Sequence, residues 1–339
     1  MPESRMLLLD TASLYFRAFF GVPDTMRSPD GRPVNAVRGL LDFISRLVGE
    51  YQPTHLVCCW DNDWRPQWRV ELIPSYKAHR VAKVQPASLP AGNGDRVVGA
   101  GGTGAESGQA EEAPDLLSGQ VPMILDVLAA LGVVVVGKDG YEADDVIGTL
   151  AATASMPVDV VTGDRDLFQV VDDARQVRVL YIARGVGRHE RVDDAWVRTK
   201  YGIPAAAYVD FATLRGDASD GLPGVSGIGE KTAASLLEMN GDLDGILAAA
   251  SQPGSTISPG IRTKLAASID YLAVAPSVVA VATDLELGVD ASDLVMPRTP
   301  LDPDAFAELT ESLGLSGSAG RVLAALAGTR LADPAGTPD

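Results

Sequence analysis

Nine acidic residues stand where they could do chemistry together. Asp10 follows the apolar run MLLL, Asp61 follows HLVCCW, and Asp164 with Asp166 follow VDVVTG. Glu142, Asp144 and Asp145 lie in GYEADDVIGTLAA, and Asp217 with Asp220 lie in RGDASDGLPG. Singly, each has a plain explanation as a turn residue, a helix cap or an acid in a first helical turn. Together they would raise one another's pKa and cost stability unless hard cations with oxygen ligands neutralise them, so Mg²⁺ or Mn²⁺ is expected. Two such ions about 3.5 to 4 Å apart serve in-line attack of water on a phosphodiester. The chain has no GxxxxGK followed by Ser or Thr, no GxSxG and no HExxH, which leaves metal-assisted phosphodiester hydrolysis.

The apolar runs at 6 to 9, 55 to 60, 133 to 136 and 158 to 161 are short and separated by helical patterns, as in a mostly parallel α/β sheet flanked by helices. Three of them end in an acid, at the edge where such sheets build their sites. Helices are expected over 37–50, with Leu40, Leu41, Ile44, Leu47 and Val48 on one stripe, and over 121–131. Residues 84 to 120 carry eight of the 35 glycines and almost no large apolar residue, and are read as a flexible insertion. Past Tyr201 the pattern turns helical, with helices from about Lys231, over 259–273 and over 303–327. SVVAVAT (277 to 283) reads as a further strand, and 331–339 as a polar tail. This gives a core over 1–200 with an arch and insertion at about 64–120, a helical region over 201–290 and a C-terminal segment over 291–330.

Two segments could meet phosphate. LPGVSGIGEKTAASLLE places Gly224, Gly227 and Gly229 before a helix, a glycine turn whose amides can approach a nucleic-acid backbone without reading bases. RPQWRVELIPSYKAHRVAK interleaves Arg65, Arg69, Lys77, Arg80 and Lys83 with Trp64, Trp68 and Tyr76, a pattern suited to single strands, although a solvated basic face over core aromatics reads the same way. The net charge of −17 argues against a nucleic-acid partner, but its distribution is uneven. Residues 1–86 hold 11 Lys and Arg against 9 Asp and Glu, whereas 95–175 hold 4 against 15. Cys58 and Cys59 read as core thiols rather than a disulfide or zinc framework. With no apolar run of membrane-spanning length and no signal segment, a cytoplasmic protein is expected.

DTASLYFRAFF, WDNDWRPQWRVELIPSYKAHR, GYEADDVIGTLA, TGDRDLFQ and RGDASDGLPGVSGIGEKTA resemble, in order, the signature blocks of the bacterial 5′-nuclease and flap endonuclease family, found at the N-terminus of DNA polymerase I and as separate enzymes. The resemblance covers roughly residues 5 to 290, and no polymerase region follows. It implies a structure-specific 5′ to 3′ exonuclease and flap endonuclease of DNA replication and repair. It also implies a helical arch that threads the 5′ strand and a helix-hairpin-helix that holds duplex and can bind K⁺.

Residue by residue, the resemblance implies a first metal at Asp10, Asp61, Glu142 and Asp144, with Asp145 beside it, and a second at Asp164, Asp166, Asp217 and Asp220. Arg17, Lys77 and Arg80 would contact the scissile phosphate. Arg69, Tyr76 and Lys83, with Gly227, Gly229, Lys231 and Thr232 of the hairpin, would meet nucleic acid. Thr11 replaces the family's glycine and Gly221 its asparagine; the spacing from Asp61 to Arg69 is one residue longer, which leaves Asp61 or Asp63 as ligand, position favouring Asp61. The expected partner is 5′-ended or branched DNA, RNA–DNA hybrid included, bound by a monomer with no membrane association. A PIN-type ribonuclease shares the acid-rich core but is usually shorter and lacks GIGEKTA. A junction-binding protein with a dead centre would not need every carboxylate.

Overall fold

The computed structural model describes residues 4–81 and 115–328. In chain order the elements are β1 (Met6–Asp10), α1 (Thr11–Gly21), α2 (Asn35–Tyr51), β2 (His55–Trp60), α3 (Gln67–Leu72), α4 (Asp115–Ser118), α5 (Val121–Leu131), β3 (Val134–Gly137), α6 (Ala143–Thr153) and β4 (Val158–Thr162). There follow β5 (Val177–Tyr181), β6 (Glu190–Val192), α7 (Asp194–Tyr201), α8 (Tyr208–Arg215), α9 (Glu230–Asn240), α10 (Leu243–Ser251), α11 (Pro259–Ala267), α12 (Ile269–Val279), α13 (Pro303–Ser312) and α14 (Ser316–Leu326).

The sheet order is β3-β2-β1-β4-β5-β6, parallel except for the antiparallel β5–β6 pair. Connections from β1 run outward in both directions, so the switch of direction falls at β1 and β4, and ligands of open α/β sheets bind at the carboxyl ends of such strands. Both faces are covered, which explains why the strands at 6–10, 55–60 and 158–162 are almost wholly apolar. Leu8, Val57, Cys59 and Val160 pack with α6 and α8, while Leu7, Leu9, Leu56, Cys58 and Val161 pack with α2, α5, α13 and α14. The two cysteines are therefore buried on opposite faces as free thiols, and burial pushes Cys58 up to about 12. Among the described residues, no helix is long and apolar enough to cross a membrane.

Several expectations need correction. SVVAVAT is not a strand: α12 continues to Val279, because Leu272, Ala275, Val278 and Val279 fall on one buried helical face and valine only weakly disfavours a helix. The helix expected over 259–273 breaks at Ser268, and that over 303–327 breaks at Gly314, whose φ is +67°. β5 and β6 were not anticipated. Within the insertion, 82–114 lie outside the described residues, but 115–120 belong to the core. Leu117 is buried, and Gln120 accepts from the Ala36 amide (2.8 Å) and donates to Asn35 Oδ1 (2.9 Å), satisfying the start of α2. Of the arch and insertion expected at 64–120, the described residues are 64–81, with α3 and the turn at 78–80, and 115–120.

Candidate active site

Each acid is delivered by a backbone feature. Asp10 ends β1 and caps α1: one oxygen accepts from the Ser13 amide (3.1 Å), the other from Thr162 Oγ1 (2.6 Å). Asp61 follows β2 and accepts from the Ala143 amide (2.8 Å). Glu142 caps α6, placing Asp144 in its first turn, and Asp164 follows β4 and accepts from the Asp166 amide (2.9 Å). Asp10, Asp61, Glu142, Asp144 and Asp164 line one cleft of about 340 Å³ together with Lys77 and Arg80. Asp61, not Asp63, faces it. Asp166 and Asp220 line a small adjoining cavity that shares Glu142 and Asp144 with the cleft.

The charges crowd one another. Burial, with Asp10 and Glu142 nearby, pushes Asp61 up to about 7. Burial, then Asp10, Asp164 and Glu142, pushes Asp144 well above the usual carboxylate range, and burial with Asp164, Asp220 and Asp217 does the same to Asp166. Asp166 Oδ1 is shielded from solvent without a hydrogen-bond partner. Two acids are lowered instead. At Glu142 burial acts upward, but Lys77 and Arg69 outweigh it; at Asp217 Ser219, Arg215 and Arg165 outweigh burial. Among the described residues no three side chains stand as a metal-ligand set.

The cations divide. Lys77 places its ammonium on Glu142 Oε1, from a left-handed backbone (φ 48°) of the kind often stored at functional sites. Arg80 reaches Asp220 Oδ1 and Ser219 O, each at 2.7 Å. The 75–80 segment is stitched to the second acidic loop: the Lys77 amide donates to Asp220 O (2.8 Å) and Ser75 Oγ to Gly221 O (2.7 Å). Gly221 has φ +70°, and a Cβ there would lie 2.1 Å from Ser75 O. Arg17 lines a neighbouring cavity of about 610 Å³ with Ser13, Phe16 and Asp164, its Nε buried without a hydrogen bond.

Burial counts against three site expectations. Arg69, expected on phosphate, is 2% exposed and ion-paired with Glu142 and Asp145. Tyr76, expected beside the substrate, is buried with its hydroxyl donating to Glu142 Oε2 (2.7 Å). Asp145 is wholly buried, both its oxygens already taken by Arg69, the Glu142 amide and the Ala282 amide, so it has no oxygen to offer a metal. Asp217 lines neither cavity and is clamped by Ser219, Arg215 (3.1 Å) and Arg165 (3.3 Å). Lys83 lies outside the described residues. Thr162, Arg165 and Arg215, which hold the acids, were not singled out from the sequence; they adjoin acids in VTGDRD and LRGD, the one available signal.

The glycine hairpin lies apart from the cleft, at the start of α9. Gly229 precedes that helix with no side-chain cap, and Gly227, Gly229 and Lys231 are exposed, with Thr232 partly so. Lys264 Nζ donates to Gly227 O at 3.0 Å. The approach to the hairpin is locked by a backbone contact: Gly224 has φ +63°, and a Cβ on it would meet Gly216 N at 2.5 Å. Gly224→Ala is therefore expected to cost at least about 1 to 2 kcal/mol from φ alone, seen as a melting temperature lowered by several degrees. A melting temperature equal to the parent's would show that the contact yields.

Two family models match successive parts of the chain. The family model described as 5′-3′ exonuclease, N-terminal resolvase-like domain, matches residues 5–202, and that of the 5′-3′ exonuclease, C-terminal SAM fold, matches 203–302. A 5′-3′ exonuclease of Streptomyces coelicolor is 57% identical over 94% of this chain and 99% of its own length. One from Mycobacterium tuberculosis is 47% identical over 96% and 98%. The fold is similar to that of the bacteriophage T5 5′-exonuclease solved with zinc (TM-score 0.58, 16% identity, 95% of this chain and 99% of that one). It is also similar to the catalytic core of Rad2 in complex with DNA substrate (TM-score 0.55, 16% identity, 96% and 92%). An acid-lined switch point in a parallel sheet, a helical second half carrying a glycine hairpin, and matches of this extent place the chain in the 5′-3′ exonuclease family of nucleases.

Proposed function

We propose that the chain is a structure-specific 5′ nuclease that hydrolyses phosphodiesters in 5′-ended or branched DNA, RNA–DNA hybrids included, during replication and repair in the bacterial cytoplasm. The observation that carries this reading is the meeting of Asp10, Asp61, Glu142, Asp144 and Asp164 with Lys77 and Arg80 in one cleft. The donor set suits hard divalent ions: it is all oxygen, burial and mutual repulsion raise several of its acids, and Asp166 keeps a buried oxygen without a partner. Asp10, Asp61, Glu142 and Asp144 would hold one Mg²⁺ or Mn²⁺, and Asp164, Asp166 and Asp220, with Asp217 behind them, another. Bound there, such ions supply Lewis-acid activation of water and of the leaving oxygen.

The remaining work belongs to the protein. Lys77 and Arg80 stand over the cleft where a phosphate entering it would exchange their carboxylate partners for its own oxygens. Arg17 extends the positive lining toward Phe16 and Phe20. The exposed hairpin at Gly227, Gly229, Lys231 and Thr232 would hold the duplex backbone, positioning without base readout, with K⁺ as a bridging ion and the protein acting as a monomer. Digestion of a 5′-labelled flap duplex tests this. Cleavage is expected with Mg²⁺ or Mn²⁺, none in excess EDTA, and binding without turnover in Ca²⁺, whose looser coordination meets the same oxygens without the required geometry. Undiminished cutting in EDTA would exclude a metal-dependent nuclease.

A further inference from the structure

We infer that Arg69, which touches no substrate, is the positioning residue that fixes Glu142 in the site by tying the start of α6 to the end of α12. Its guanidinium donates in five directions: Nε to Val278 O (3.1 Å), Nη1 to Glu142 Oε2 (2.5 Å) and Asp145 Oδ2 (2.9 Å), and Nη2 to Asp145 Oδ1 (2.8 Å) and Ala280 O (3.2 Å). Trp68 covers it, with Cζ 4.6 Å from the ring centroid. Three pieces of chain therefore meet at one side chain. These are α3, which leads into Tyr76 and Lys77; the α6 terminus, which carries Glu142 and Asp144; and residues 278–282, where the second half of the chain packs on α6. Asp145 completes the joint by accepting from the Ala282 amide (2.9 Å).

The geometry separates the two oxygens of Glu142. Oε2 is held from behind by Arg69 and Tyr76, and Oε1 is turned toward Lys77, which lines the cleft. A carboxylate fixed on one oxygen by a rigid fork presents the other in a set direction, and outer partners of this kind typically cost 10- to 100-fold in metal affinity or activity when removed. Lysine cannot replace the fork, because an ammonium is a point donor without the planar, bidentate reach. Since 278–282 belong to the helical half that would hold duplex, the same joint sets how that half sits against Glu142.

This inference rests on the proposed metal-dependent cleavage, and the parent protein's own cleavage in Mn²⁺ tests that separately. The variant is Arg69→Lys, and, should it fail to fold, the neutral pair Arg69→Met with Asp145→Asn, which leaves no buried charge unpaired. Three quantities are read: free Mn²⁺ by electron paramagnetic resonance during titration, duplex binding in Ca²⁺, and single-turnover cleavage. The Mn²⁺ midpoint is expected to rise about 10- to 100-fold and cleavage at limiting Mn²⁺ to fall with it, while duplex affinity stays within about threefold. A Mn²⁺ midpoint within twofold of the parent's, with cleavage lost only in proportion to the unfolded fraction, would make Arg69 a purely structural residue and overturn the inference.

Discussion

Replacing Asp166 by asparagine is expected to abolish cleavage while leaving the protein, freed of metal, at least as heat-stable as the parent. The two outcomes have one cause. Asp166 sits among Asp164, Asp220 and Asp217, its Oδ1 buried without a partner, and burial with those charges drives its pKa well up. A carboxylate whose folded-state pKa is raised costs the fold nothing where both states are protonated, near its ordinary value of 3.8 and below. The cost grows as pH rises and is complete above the folded pKa. Asp61, at about 7, and Asp144, Asp164 and Asp220 all shift in the same direction. Glu142 and Asp217 oppose them, since a lowered pKa contributes stability above the unfolded value. With more raised acids than lowered ones, the melting temperature in EDTA should fall as pH rises from about 5 to about 8, and it should fall less in Asp166→Asn. Asp144→Asn should behave alike. Normal cleavage by either variant, or melting far below the parent, would make these acids structural.

How much of this was legible in the sequence depended on whether a signal was local. The strands β1, β2 and β4 are buried on both faces, so they read as apolar runs, broken in β4 only by Asp159, and the acids that follow them fall at the sheet edge by sequence alone. β5 was not read as a strand, and its Arg178 makes sense only in the fold, where it pairs with the fully buried Asp159 of β4, a partner 19 residues away. The end of α12 was misread because SVVAVAT has strand composition, while the face that decides it begins at Leu272, outside the run. Arg69 shows the limit most clearly. On the chain it is one of several alternating cations and aromatics, indistinguishable from Arg80. Its partners Glu142, Asp145, Val278 and Ala280 lie between 73 and 211 positions away, so only the fold shows that one cation points inward and the other into the cleft.

Changing Lys77 and Arg80 together to alanine is expected to slow single-turnover cleavage on the order of 10² to 10³-fold, much more than it weakens duplex binding. Both line the acidic cleft, and both are held by carboxylates, Lys77 by Glu142 of the cleft and Arg80 by Asp220 of the adjoining cavity. A phosphate reaching this cleft gains negative charge on its oxygens during attack, so cations placed over it act on the transition state rather than on ground-state binding. Lys231→Ala should do the reverse. It stands exposed on the first turn of α9, beside the hairpin and apart from the cleft, where in the proposed role a cation would meet only a backbone phosphate of the duplex. Its loss should weaken binding uniformly across sequences and flatten the salt dependence, leaving the chemical step nearly intact. The net charge of −17 sharpens the contrast, because in so acidic a chain binding relies on a few local cations and should be strongly salt-dependent. Single-turnover rates at saturating protein, set beside duplex affinities over a salt series, separate the two contributions. Equal losses in rate and affinity from both sites would show that cleft and hairpin do not divide the work in this way.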